Sequence, residues 1–361
     1  MINHNYIIIG AGVVGLATAQ LLLKQGATVI LVDRGLVGQE SSWAGAGILS
    51  PLCPWDYPAV ITDLTNRGTA LYPQWVAELQ AATGIDPEYD VSGLRILSSL
   101  DVSSPKASSL DMPLAQRWCA EHEVRFECMA ENIFLPDVAQ VRNPRLIQAL
   151  RKHVEMLGGK IAEQCEVLKI ATKVDHVQSI ATTRGEFKAD DFIVSAGAWS
   201  KQLLGKNSWQ LEIKPMRGQM LLYKFDSPPL RNMVLQDGIY IIPRRDGHVL
   251  VGSTLEDVGF DKGITSQAHA FLSQRAQRIL PQLRNMPLIQ HWSGLRPAAP
   301  NNIPTIGRHP YLKNLYINSG HFRYGVTMAP SSAEILLHEI TGTPQLFDTA
   351  PYQAGWGRAQ D

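Results

Sequence analysis

Two arginines and a tyrosine stand among neighbours that suit them poorly. Arg296 lies in "WSGLRPAAP" between Leu295 and Pro297, Arg323 lies in "SGHFRYGVTMAP" between Phe322 and Tyr324, and Tyr240 opens the apolar run "YIIPR". An arginine in such surroundings is costly to bury unpaired, so each asks for an internal carboxylate or an anionic ligand. The planar guanidinium fork suits a carboxylate, through two parallel charge-assisted hydrogen bonds of about 1.5–3 kcal/mol each. Tyr240, on a half-buried strand, is from spacing alone better explained by packing than by catalysis. His321 reads as a hydrogen-bonding structural residue, His291 and His309 lack a matching constellation, and no serine or cysteine is paired with a base. The chemistry on offer is the orientation of a small acid.

What such an acid would meet is written at the N-terminus. "YIIIGAG", residues 6–12, is a continuous apolar run of β-branched residues ending in glycines, which predicts a strand buried on both faces of a parallel sheet. A helix over 13–25 stops at Gly26, and a second apolar strand, "ATVILVD", follows. Within this βαβ unit Gly10, Gly12 and Gly15 form GxGxxG, which permits a tight turn, close approach of backbone to a pyrophosphate, and close packing of helix on strand. Asp33, closing the second strand, can accept hydrogen bonds from an adenosine ribose. An ADP-containing dinucleotide is expected, with NAD and FAD both open at this point.

Regular βα alternation does not continue. "GQESSWAGAGILSP", residues 38–51, predicts an extended segment in which Ser41 and Ser42 can donate to phosphate while Ala46 and Gly47 let backbone approach a ring. Helices are predicted over 60–83, 113–122 and 266–280, with a serine-rich loop at 98–109. A further helix over 143–159 is expected to be capped by Asn143, with Pro144 in its first position and Gly158 as its stop. Strands are expected at 160–170, 173–182 and 186–195, the last ending in a turn at Gly197, and at 211–225 and 239–254. The last of these reads as a hairpin about Asp246-Gly247. The expected architecture is α/β, a Rossmann-like nucleotide domain (1–85, 141–212 and 296–361) interrupted by a discontinuous, mainly antiparallel β domain for the substrate (86–140 and 213–295), with the ligand between them.

Composition narrows the partners. A chain of 361 residues suits two coupled units, and 33 basic against 33 acidic residues leave no net field to draw nucleic acid or an anionic membrane. Cys53, Cys119, Cys128 and Cys165 show no CxxC pairing, which predicts reduced thiols in a cytoplasmic protein without a metal site. The first residues resemble neither a signal peptide nor a spanning helix, so a soluble, unprocessed protein is expected.

The motifs "IIIGAGVVGLATA", "ESSWAGAGILSP", "IVSAGAWS", "YIIPR", "GLRPAAPNNIPTIGRHP" and "GHFRYGVTMAP", in that order over nearly the whole chain, resemble the FAD-dependent D-amino acid oxidases, on the branch that oxidises glycine for thiamine biosynthesis. The resemblance implies that Gly10, Gly12, Val13, Val14, Gly15, Asp33, Arg34, Ser41, Ser42, Ala46, Gly47, Ile48 and Gly197 hold FAD, and that Val167 in "CEVLKI" contacts its adenine part. It implies that His321, Phe322, Arg323, Tyr324, Gly325, Val326 and Thr327 run along the flavin ring, that Arg296 pairs with the substrate carboxylate, and that Tyr240 and Arg323 complete the pocket. No cysteine follows Cys165, so the FAD is expected to be non-covalent. Trp43 departs from the pattern as a bulky residue where a small one is expected, which bears on the size of the site. Implied partners are a small amino acid or amine and molecular oxygen, in a homo-oligomer. Alternatives within enzymes are a broader D-amino acid or N-methyl amino acid oxidase, or a dehydrogenase using an electron carrier. Outside them stand a non-catalytic dinucleotide module and an RNA-directed oxidase domain.

Overall fold

The computed structural model describes residues 4–99, 110–129 and 132–353. The expected serine-rich loop at 98–109 falls almost wholly outside them. A six-stranded sheet runs in the order Thr305–Arg308, Leu315–Ser319, Asp191–Val194, Asn5–Ile9, Thr28–Val32, Lys160–Ala162. All its pairings are parallel except the one between Thr305–Arg308 and Leu315–Ser319.

The central strand, Asn5–Ile9, shows why its sequence carries no polar alternation. Tyr6 and Ile8 face a core built with the helices Val13–Lys24, Ala59–Thr83, Asn143–Met156 and Gly325–Thr341. Ile7 and Ile9 face the opposite way, into a core shared with the three-stranded sheet Val167–Lys173, His176–Thr182, Gly185–Phe187. Burial on both faces requires an apolar residue at every position.

An eight-stranded sheet contains the strands Leu288–Ala298, Lys214–Lys224, His248–Gly252, Ile239–Pro243, Met233–Gln236, Leu94–Leu97, Asn132–Leu135 and Glu127–Met129, in that order. Only Met233–Gln236 beside Leu94–Leu97 is parallel. Here the faces do divide: Leu221, Ile239, Ile241 and Val251 pack on the helix Ser266–Ile279, while Met220, Tyr240 and Ile242 belong to the core on the other side. The hairpin pairs Tyr240 with Gly252 and Pro243 with Val249, and Gly247, at φ +85°, closes its turn by donating to the Arg244 carbonyl at 2.9 Å.

Four local expectations are corrected. The strand over 186–195 is two, Gly185–Phe187 in the three-stranded sheet and Asp191–Val194 in the six-stranded one. The strand over 160–170 is two strands in different sheets, separated by a turn where the amides of Gln164 and Cys165 bond back to Gly35 and Asp33. Asn143 does not cap its helix; Arg142 holds that place, and the Asn143 amide donates to the Ser42 carbonyl at 2.8 Å. The segment 38–51 is not extended throughout, because Ser41–Ala44 forms a helical turn against Glu40. Among the described residues no helix is long and apolar enough to cross a membrane.

Candidate functional site

A cleft of about 990 Å³ lies between the C-terminal ends of the parallel strands and the inner face of the eight-stranded sheet. That volume is at the upper end for cofactor and small-molecule sites. At its nucleotide end the three glycines do different work. A Cβ at Gly10 would stand 2.4 Å from the Ser195 carbonyl, and one at Gly15 would stand 2.0 Å from the Gly10 carbonyl, so both permit close packing of backbone on backbone. A Cβ at Gly12 would meet only the Ser42 hydroxyl, at 3.0 Å, leaving the first turn of the helix open to the cleft. Ser42 also accepts from the Val13 amide at 3.0 Å, which leaves its own proton to donate.

Asp33 braces the turn as well as facing the cleft. Its two carboxylate oxygens accept from the amides of Ala11 and Gly35, each at 2.8 Å, and each oxygen keeps a lone pair for a further donor. Burial raises its pKa, against the lowering effect of these two bonds. Beside it the Arg34 guanidinium lies 3.7 Å over the Trp199 ring, which stacks on Phe260 from the other sheet's return loop. Three buried polar atoms on residues of the cleft wall, Ser195 Oγ, Asn318 Oδ1 and His321 Nε2, have no partner among the described residues. A helix N-terminus opening on the cleft, the free proton of Ser42 and a ribose-ready carboxylate at Asp33 together fit a dinucleotide.

The other end is built from two segments stitched together. His321 bridges Ala298, and the Phe322 amide donates to the Pro297 carbonyl at 2.9 Å, so the loop after Leu315–Ser319 lies along the end of the strand carrying Arg296. Gly320, at φ +92°, turns the chain into that position. Burial drives the His321 pKa down to about 3, so its ring is neutral, in keeping with a structural role. Tyr324, whose hydroxyl is hydrogen-bonded to that of Tyr57, is pushed well above its usual pKa by burial. Thr327 lies one turn deeper and donates to the Ile48 carbonyl at 3.1 Å.

Arg296 has no carboxylate within ion-pair distance among the described residues. Its Nη2 donates to Ser253 Oγ at 2.7 Å and its Nη1 to the Thr254 carbonyl at 3.2 Å. Burial pulls its pKa below the usual arginine value, while Tyr240 alongside favours the charged form. Tyr240 is buried and its hydroxyl points at the Met220 sulfur, 3.1 Å away. Arg323 is exposed on the cleft wall, its guanidinium 5.2 Å from the Phe322 ring.

All the residues expected to bind cofactor or substrate line this one cleft except Gly15 and Thr327, which pack behind it. Trp43 does not line it; the ring meets Trp292 edge-on at 5.7 Å, so the extra bulk is spent on packing between sheets. Sequence reasoning missed Gly218, Ser253 and Trp199. Only Gly218 carried a signal, as a lone glycine inside a strand, which often marks a close approach.

A glycine-rich βαβ unit opening on a cleft whose far end presents an arginine with no carboxylate partner among the described residues defines a nucleotide-cofactor enzyme. The chain belongs to the FAD dependent oxidoreductase (DAO) family, whose sequence profile matches residues 5–338. It is 40% identical to a glycine oxidase of Pseudomonas aeruginosa, over 97% of this chain and 98% of that one. It is also 32% identical to the bifunctional protein ThiO/ThiG of Synechocystis, over 92% of this chain and 51% of that one. Among solved structures the glycine oxidase of Bacillus cereus superposes with a TM-score of 0.86 at 25% identity, covering 95% of this chain and 96% of the other.

Proposed function

We propose that the protein is an FAD-dependent amino acid oxidase that converts glycine and other small amines and amino acids to the imino acid, which water hydrolyses to the 2-oxo acid and ammonia. For glycine the balance is glycine, oxygen and water giving glyoxylate, ammonia and hydrogen peroxide. The observation that carries this is Arg296: a guanidinium at the inner end of the cofactor cleft, held by neutral acceptors and with no carboxylate paired to it among the described residues. The relatives named glycine oxidase support the substrate class, and the relative named ThiO/ThiG supports a place in thiamine biosynthesis.

Bound FAD supplies a hydride acceptor and returns the electrons to oxygen. It is held without a covalent bond, by the glycine turn, Asp33, Ser42 and the backbone of 321–326. Arg296 takes the substrate carboxylate through its remaining N–H groups, Tyr240 closes the site beside it, and Arg323 adds positive charge at the mouth. The protein's contribution is orientation and electrostatics; a neutral amine held by Arg296 would need no dedicated base from the chain, in keeping with the neutral, buried His321. Residues 1–85, 141–212 and 296–361 form the cofactor unit and 86–140 and 213–295 the substrate unit, in a homo-oligomer.

Peroxide and 2-oxo acid release from glycine, sarcosine, D-alanine and D-proline tests the reading. Peroxide with at least glycine is expected. FAD-loaded protein that yields none with any of the four would overturn the oxidase assignment, and turnover only with an artificial electron carrier would make it a dehydrogenase.

A further inference from the structure

Resting on that reading of Arg296, we propose that Ser253 is a positioning residue that fixes the arginine fork and so sets the affinity for carboxylates. The strand register pairs Gly218 with Gly294, and Arg296, two residues further on, projects on the same face. Its guanidinium lies directly on Gly218, where a Cβ would stand 2.1–2.4 Å from Nη1, Nη2 and Cζ. Beyond Gly218 the side chain reaches the exit of the strand His248–Gly252, where Ser253 Oγ and the Thr254 carbonyl take one N–H from each terminal nitrogen. A guanidinium has five N–H groups. Ser253 and Thr254 engage two of them and Tyr240 stands alongside as a further hydrogen-bonding neighbour, so the plane and rotation are fixed and the N–H groups that remain are left for a ligand.

The segment that carries the two acceptors is itself held from behind, at Thr254 and Glu256. Gly218 and Met220 face the cleft, whereas Arg217 and Gln219, between and beside them, face away. The Thr254 hydroxyl accepts from the Gln219 amide at 2.9 Å, Gln219 Nε2 donates to Glu256 at 2.9 Å, and Glu256 pairs at 2.6 Å with Arg217, whose side chain is 4% exposed. A segment tied down this way cannot follow a wandering arginine. The Thr254 carbonyl would be present whatever the sequence, but the acceptor at Nη2 exists only because residue 253 carries a hydroxyl. Ser253 therefore acts on the substrate through Arg296.

The test uses FAD-loaded protein, reading the dissociation constant for acetate, a carboxylate without an amine, from the bound cofactor's absorbance, together with KM and kcat for glycine. Ser253→Ala should raise both the acetate constant and KM by about three- to tenfold, the cost of ordering on binding a side chain that is no longer held beforehand, with kcat within about twofold. Ser253→Cys, close in size but a poor acceptor, should behave alike, and Ser253→Thr should restore the wild-type constants. In an Arg296→Lys background, which has no fork to orient, Ser253→Ala should change the acetate constant by less than about twofold. Unchanged acetate binding in both Ser253→Ala and Ser253→Cys would overturn the proposal. An equal loss in both arginine and lysine backgrounds would overturn it too, by assigning the hydroxyl to the ligand itself. Arg296→Ala separates this from the parent reading: if it leaves acetate binding intact, the carboxylate anchor itself is lost, whereas weakened binding there with none in the Ser253 variants removes Ser253 alone.

Discussion

Gly218→Ala isolates the geometry of the site from its chemistry, because it adds one methyl group and removes no functional atom. The added Cβ would lie 2.1–2.4 Å from the Arg296 guanidinium, far inside contact distance, so something must move. The clashing atoms are the far end of a flexible side chain, while Gly218 itself sits in a regular strand paired with Gly294. The arginine should therefore swing away and the backbone should stay. Displacement breaks the bonds to Ser253 and Thr254 and mis-aims the N–H groups left for the ligand. Losing one bond of about 1.5–3 kcal/mol to a substrate carboxylate raises KM for glycine about 10- to 100-fold. Stability should fall modestly, since alanine in a compatible strand contributes about 0.4–1 kcal/mol in favour of folding against about 1–3 kcal/mol for a buried charged donor that loses its acceptors. Steady-state kinetics on glycine, with FAD content and melting temperature measured on the same preparation, reads all three. A variant with full FAD, unchanged melting and wild-type KM would refute the placement of Arg296 over Gly218.

Other residues give contrasting outcomes. Gly15→Ala meets the Gly10 carbonyl, a backbone atom with no freedom to retreat, and should cost about 1–3 kcal/mol and most of the bound FAD; full occupancy after gel filtration would contradict this. His321 is neutral in the folded protein down to about pH 3 but protonates near 6.5 once unfolded. The unfolded state thus binds the extra proton, and stability should fall as pH drops below about 6.5, by up to about 1.4 kcal/mol per pH unit. His321→Gln should lose less melting temperature than wild type between pH 6.5 and 5, and parallel curves would exclude the effect. Trp43→Ala should leave the ratio of glycine to D-alanine turnover within about twofold, since the ring packs on Trp292 outside the cleft, while removing an aromatic pair that contributes about 0.5–1.5 kcal/mol.

What could be read in the sequence was set by how local the signal is. The first βαβ unit, the Asp246-Gly247 hairpin and the long amphipathic helices depend on spacing within about twenty residues, and each forms as expected. Errors arose where a side chain had a distant competitor. Asn143 has the composition of a cap, but the Ser42 carbonyl, a hundred residues away in sequence, claims its amide. The break at 163–166 is likewise made by hydrogen bonds to Gly35 and Asp33 across the parallel sheet. At the site, Arg296 was visible because a charge between leucine and proline needs an explanation. Ser253 was not, since a serine after a strand is ordinary and its contact exists only through the register of two antiparallel pairings.

The central claim is that this cleft brings a small amino acid to bound FAD for oxidation, and anaerobic titration tests it most directly. Purified protein, reconstituted with FAD if needed, should show the two visible flavin bands, and glycine added without oxygen should bleach them, with colour returning on admission of air. A preparation that binds FAD but keeps its bands unchanged through glycine, sarcosine, D-alanine and D-proline would contradict the account.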